Sequence, residues 1–125
     1  MIRSIFIAGL GGFIGTVLRF LISRYMQLHY MSVFPWGTFI ANILGCFLIG
    51  IFFGISEKGN FMSPEWRIFL TVGLCGGFTT FSSFSNDALM LLQNKEILRF
   101  ALYSGLSFFI GLVTVYVGRT IIKII

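Results

Sequence analysis

The run Gly76-Gly77-Phe78-Thr79-Thr80-Phe81-Ser82-Ser83-Phe84-Ser85 decides how this chain is read. It lies in a stretch without charge from Ile68 to Asn86. Thr79, Thr80, Ser82, Ser83 and Ser85, with a glycine pair, occupy positions where a lipid-facing helix would hold Leu or Ile. Such groups are tolerated in hydrocarbon only where they face protein, water or an ion. Phe78, Phe81 and Phe84 interleave with the hydroxyls at a spacing of three, so a stripe of rings runs beside a stripe of hydrogen-bond donors. We read this segment as the lining of a permeation pathway.

Composition supports a membrane setting. The chain is 57% hydrophobic and 10% charged, against about 25% charge for a soluble domain. Its 125 residues leave no room for a second, soluble domain, so residues 1–125 are expected to form one transmembrane unit. The start, Met-Ile-Arg-Ser, resembles a signal peptide. No small-x-small cleavage site follows, and the apolar run continues through Arg19 toward Arg24, as a mature helix would. Cys46 and Cys75 fall in apolar spans and read as small packing residues. The formal charge of +5 comes from scattered residues at span ends, the pattern of membrane-surface anchors and not of a nucleic-acid interface.

The expected fold is an all-α membrane protein of four spans: Ile2 to Tyr25, Gly37 to Ser56, Trp66 to Gln93 and Ile97 to Ile122. About 20 residues cross ~30 Å of hydrocarbon. At ~1.5 Å per residue the third span would be roughly 40 Å long, too long for one straight helix. A break at Gly76-Gly77 resolves this, giving two half-helices that meet mid-membrane. Ser63-Pro64-Glu65 reads as the start of that span, with Ser63 as cap and Pro64 at the first helical position. Four spans put both termini on one side. That side carries Arg3, Lys58, Arg67, Arg119 and Lys123, and the other carries Arg19, Arg24, Lys95 and Arg99. Five against four is a weak orientation bias. It admits both a single orientation and insertion in both, and the second makes an antiparallel homodimer the natural assembly. Glycine stripes at Gly11 and Gly15, and at Cys46, Gly50 and Gly54, predict close helix packing.

The parts of most enzymes are missing from the sequence: it shows no carboxylate pair, metal-ligand cluster or nucleophile elbow, and its single histidine, His29, reads as a loop residue. Asp87 is the one acid near a span interior. A proton-coupled transporter needs such an acid; a solvated residue at a helix end looks the same. Asn42 is either interhelical glue or an amide donor to an anion. Tyr103, Ser107, Gly111 and Thr114 share one face of the fourth span, either as a polar track or as side chains bonding their own backbone. All these groups are neutral donors. A cation pore would show acid rings or carbonyl filters. A small, hard anion needs N–H and O–H donors, helix N-termini and electropositive ring edges. The phenylalanine stripe also suits plain packing.

Three runs together resemble the CrcB/Fluc fluoride channels: Gly11-Gly-Phe-Ile-Gly-Thr-Val-Leu-Arg19, Pro35-Trp-Gly-Thr-Phe-Ile-Ala-Asn42-Ile-Leu-Gly-Cys-Phe-Leu-Ile-Gly50, and Gly73-Leu-Cys-Gly-Gly-Phe-Thr-Thr-Phe-Ser-Ser-Phe-Ser85. The likeness covers all four spans in order. It implies a non-enzymatic, multi-pass channel of a prokaryotic cell membrane, built as an antiparallel dual-topology homodimer. Such a channel exports fluoride passively down its electrochemical gradient and lowers fluoride toxicity. It also implies pore roles for Phe81, Phe84, Asn42 and Ser82, a fourth-span track of Tyr103, Ser107 and Thr114, and a structural Na+ at the dimer interface held by the carbonyls of Gly76 and Thr79. Arg19 matches the family's first-span arginine, with a structural or vestibule role. Cys46 and Gly111 depart from the hydroxyls often found at their positions. Two rival readings of the sequence are a small proton-coupled multidrug exporter working through Asp87, and a non-transporting membrane scaffold.

Overall fold

The computed structural model describes residues 1–29, 34–59 and 62–125. Their helices are α1 (Ile2–His29), α2 (Trp36–Glu57), α3 (residues 64–78), α4 (Phe81–Gln93) and α5 (Ile97–Ile124). Among the described residues, four units are long and apolar enough to cross a membrane: Ile2–His29, Trp36–Glu57, Pro64–Gln93 and Ile97–Ile124. The third is the broken one. The first runs past the expected Tyr25, so His29 closes α1 and its ring packs on Tyr25 with centroids 4.2 Å apart.

Burial is inverted relative to a soluble bundle. Phe6 and Leu98 are each 74% exposed, as suits side chains whose solvent is lipid. Buried positions are instead dominated by small residues, including Gly11, Gly15, Ala41, Gly45, Gly50, Gly111 and Gly118. Without a hydrophobic drive between helices, close van der Waals contact holds the bundle, and small residues permit it. α1 packs along α3, and α2 along α5, each as a parallel pair. A Cβ at Gly15 would stand 2.1 Å from the Leu74 carbonyl oxygen, and one at Gly50 would stand 2.3 Å from that of Val115. At Gly11, Gly15 and Gly50 the predicted stripes are therefore backbone-to-backbone seams.

Ser63 caps α3 as expected, its Oγ accepting from the Trp66 N–H at 3.3 Å with Pro64 next in line. Residues Ile68–Cys75 of α3 are wound as a π-helix, which the sequence pattern did not announce. The turn from α4 to α5 is closed by the Glu96 N–H on Leu91 O at 2.9 Å and the Lys95 N–H on Leu92 O at 3.1 Å, with Lys95 in the left-handed region at φ 60°.

The break falls later than expected. Gly76, Gly77 and Phe78 are helical, and the chain turns extended at Thr79 (φ −93°, ψ 155°) and Thr80 (φ −152°, ψ 122°). The reason is packing. A Cβ at Gly77 would lie 2.6 Å from the Gly12 carbonyl oxygen, so this glycine lets two helices touch and does not act as a hinge. β-Branched threonines take the extended conformation readily.

Gly15→Ala and Gly50→Ala should each destabilise the protein by about 1–3 kcal/mol through overpacking against rigid backbone. Gly9→Ala and Gly105→Ala, whose added methyls would meet nothing within 4 Å, should stabilise it by roughly 0.5–1 kcal/mol through helix propensity. Thermal unfolding in detergent, followed by circular dichroism, separates the two pairs.

Candidate functional site

An interrupted helix frees backbone groups that water cannot satisfy inside a membrane. Here side chains from two other helices do so. From α2, the Asn42 amide spans Thr80: its Oδ1 accepts from the Thr80 N–H at 2.8 Å and its Nδ2 donates to the Thr80 carbonyl at 3.1 Å. From α1, Arg19 Nε donates to the Gly77 carbonyl at 3.0 Å. That places a cation against the last turn of α3, where the peptide dipoles leave partial negative charge. The break also caps itself. Thr79 donates to the Cys75 carbonyl at 2.9 Å from both its N–H and its Oγ1, and the Thr80 hydroxyl accepts from the Ser83 N–H at 3.2 Å, opening α4.

A cavity of about 350 Å³ opens beside the break, lined by Asn42, Cys46, Thr79, Thr80, Phe81, Phe84 and Ser107, among others. No charged side chain is in this lining. The Phe81 and Phe84 rings are 5.9 Å apart by centroid, and Phe84 lies 5.0 Å from the Tyr103 ring. Among the described residues, Ser107 Oγ is the buried side-chain oxygen or nitrogen without a hydrogen-bond partner. An orphaned hydroxyl costs ~1–3 kcal/mol. Located in a cavity of neutral donors beside the positive end of α4, it is a donor available to an anion.

The fold thus brings Asn42, Phe81, Phe84 and Ser107 together. Ser82 stands next to them, exposed, with its Oγ 3.1 Å from Thr80 Oγ1. Tyr103 lies outside the lining, fully buried behind Phe84, and its hydroxyl points at Asp87 Oδ2 at 3.5 Å. Asp87 itself faces a different cavity, with Ser23, Trp36 and Thr38. Thr114 also lies outside the lining and donates to the Gly111 carbonyl of its own helix at 2.9 Å. Cys46 and Gly111 meet across the α2–α5 seam, where a Cβ on Gly111 would be 3.4 Å from the thiol sulfur. Both cysteines are free. Sequence reasoning counted Thr80 among the hydroxyls of the segment but missed its backbone pairing with Asn42 and its role as the cap of α4. A β-branched hydroxyl residue three positions before a backbone N–H in need of a cap was the signal available.

These features define a multi-pass helical membrane protein with a polar, uncharged cavity at a mid-span break. The chain belongs to the family described as CrcB-like protein, camphor resistance (CrcB), which matches residues 6–119. It is 48% identical over 121 residues to the fluoride-specific ion channel FluC of Flavobacterium psychrophilum, covering 97% of this chain and 98% of that one. It is 42% identical to proteins of the same name from Azobacteroides pseudotrichonymphae, covering 94% of each chain, and from Oceanobacillus iheyensis, covering 93% of this chain and 88% of that one.

Asn42→Ala leaves both backbone groups of Thr80 unpaired in a low-dielectric setting, so it should cost at least ~2 kcal/mol. It should also raise amide hydrogen exchange at Thr80 and Phe81 while leaving the distant α4–α5 turn unchanged. Exchange mass spectrometry on the detergent-solubilised protein checks this. Uniform loss of protection along the chain would instead mark general unfolding.

Proposed function

We propose that this protein is a passive fluoride-selective channel, with the pathway running through the cavity at the break. The observation that carries the reading is the lining: neutral N–H, O–H and ring-edge donors, an unpartnered Ser107 hydroxyl and no fixed charge. A site of this kind offsets the dehydration of a small, hard anion without trapping it. Relatives up to 48% identical bear the name fluoride-specific ion channel. No covalent chemistry is required. An inside-negative potential supplies about 2.3 kcal/mol per charge per 100 mV for exit. The exporter alternative needs an acid in the pathway, and the cavity lining holds none.

The assembly we infer is an antiparallel homodimer. Phe81 is 79% exposed at the rim of the cavity, and Gly76 of α3 is exposed too, so a second copy has an uncovered edge to complete. The charge count supports dual insertion less than the sequence suggested. Arg19 lies at the break and not at a helix end, leaving five surface cations against Arg24, Lys95 and Arg99. The carbonyls of Gly76 and Thr79 fit a structural sodium ion. The amides that would close a helical ladder onto them are diverted: the Thr80 N–H goes to Asn42 and the Ser83 N–H to Thr80 Oγ1. Bound there, sodium would supply the positive charge those oxygens lack.

The test is fluoride efflux from liposomes holding the purified protein, with a potassium ionophore to discharge the voltage and a fluoride electrode as readout. Rapid fluoride release without chloride release is expected; no release from folded, reconstituted protein refutes the channel. Hydrogen bonds to charged groups contribute ~1.5–3 kcal/mol, so Ser107→Ala should slow efflux by about 10- to 100-fold. Phe81→Ile and Phe84→Ile should also slow it, while Asp87→Asn should retain most of the flux.

A further inference from the structure

Another cavity, of about 380 Å³, lies at the far ends of α2 and α5, away from the break. Its walls include Glu57 and Lys58 of α2 and Tyr116, Arg119, Thr120 and Lys123 of α5. We propose that it is a binding site for the phosphate headgroup of an anionic membrane phospholipid.

Its chemistry is opposite to that of the fluoride pathway. Three cations face one carboxylate, and that carboxylate is already used: Glu57 pairs with Arg119, whose guanidinium also stands 5.9 Å from the Phe53 ring centre. A guanidinium offers five N–H donors in a planar fork, so the pair with Glu57 leaves donors for a second oxyanion. Lys123 forms no ion pair among the described residues. Lys58 Nζ donates to the Ile122 carbonyl at 3.0 Å. That contact covers the negative end of α5, which would otherwise repel an anion, and it leaves two ammonium protons free. The Tyr116 and Thr120 hydroxyls add neutral donors on the same wall. Several convergent N–H and O–H groups with a net positive charge suit the multiple oxygens of phosphate, not a single small halide.

Position identifies the source of that phosphate. The cavity lies where two membrane-spanning helices end, the level at which headgroups meet protein and at which lysine and tyrosine are favoured. The face of α5 that leads away from it is apolar and outward: Val113 is 56% and Tyr116 70% exposed. Acyl chains can lie along that face while the phosphate enters the basic cavity. A soluble phosphate would have no use for the apolar track. Basic pockets between transmembrane helices recognise headgroups in this way.

The full chain in neutral detergent is titrated with dioleoyl phosphatidylglycerol, dioleoyl phosphatidylcholine or inorganic phosphate, and bound lipid is read by native mass spectrometry. Phosphatidylglycerol should be retained in preference to phosphatidylcholine. The double variant Lys58→Gln/Lys123→Gln should bind it ~30-fold more weakly, the size expected for two membrane-surface cations. The variant Lys95→Gln/Arg99→Gln, which removes the same charge at the opposite end of α5, should bind like the parent. An equal loss in both variants would overturn the site in favour of unspecific attraction. Retention of both lipids alike would also overturn it. Competition by millimolar inorganic phosphate that fully displaces the lipid would reassign the cavity to a soluble anion. Circular dichroism of each variant confirms that a loss of binding is not a loss of fold.

Discussion

The structure depends on how a helix interrupted inside hydrocarbon satisfies its backbone. Two hydrogen bonds hold the chain extended where α3 ends: the Thr80 N–H donates to the Asn42 amide oxygen at 2.8 Å, and the Asn42 amide N–H donates to the Thr80 carbonyl at 3.1 Å. Each unpaired group in lipid would cost several kcal/mol, so without such a partner the segment would rewind into helix or draw in water. With it, α4 begins afresh at Phe81, and its positive end, its hydroxyls and its rings are displayed beside a cavity. The cavity is a by-product of a solved backbone problem.

The same residue couples the elements. Asn42 is on α2, Thr80 lies between α3 and α4, and Arg19 reaches the Gly77 carbonyl from α1. The glycine seams make this reach possible. The backbone of α1 lies against α3 at Gly11, Gly15 and Gly77, and the backbone of α2 lies against α5 at Gly50 and Gly118. Helices that approach so closely cannot slide without collision between carbonyls and Cα atoms. Short polar side chains are therefore delivered to fixed points. Gly76-Gly77, which looks in sequence like a flexible hinge, contributes contact on its Gly77 side and an open face at Gly76, where a Cβ would meet only the Thr71 carbonyl oxygen at 3.8 Å.

The two proposed anion sites differ in chemistry. The cavity at the break is lined by neutral donors. The cavity at the helix ends is lined by ammonium and guanidinium groups. The difference follows from depth: an uncompensated charge deep in the bilayer is costly, whereas at the headgroup level it is hydrated and has lipid phosphates to meet.

Much of this architecture was legible in the residues. Four apolar runs of sufficient length can only be spans, because apolar length against bilayer thickness is a local property of the chain. The excess length of the third run, with hydroxyls set among its phenylalanines, forced a break for the same reason. The glycine stripes announced close packing, since only small residues allow it. The location of the break was not legible, nor was the role of Asn42 as the holder of Thr80, 38 residues away in sequence. Nor did a helical spacing reveal that Tyr103, Ser107 and Thr114 would part company, one packed behind Phe84, one facing the cavity and one bonded to its own helix. Periodicity assigns a residue to a face of its own helix. Which neighbour covers that face, and whether a donor there is satisfied or left open, depends on the approach of other helices, and so only the tertiary structure decided it.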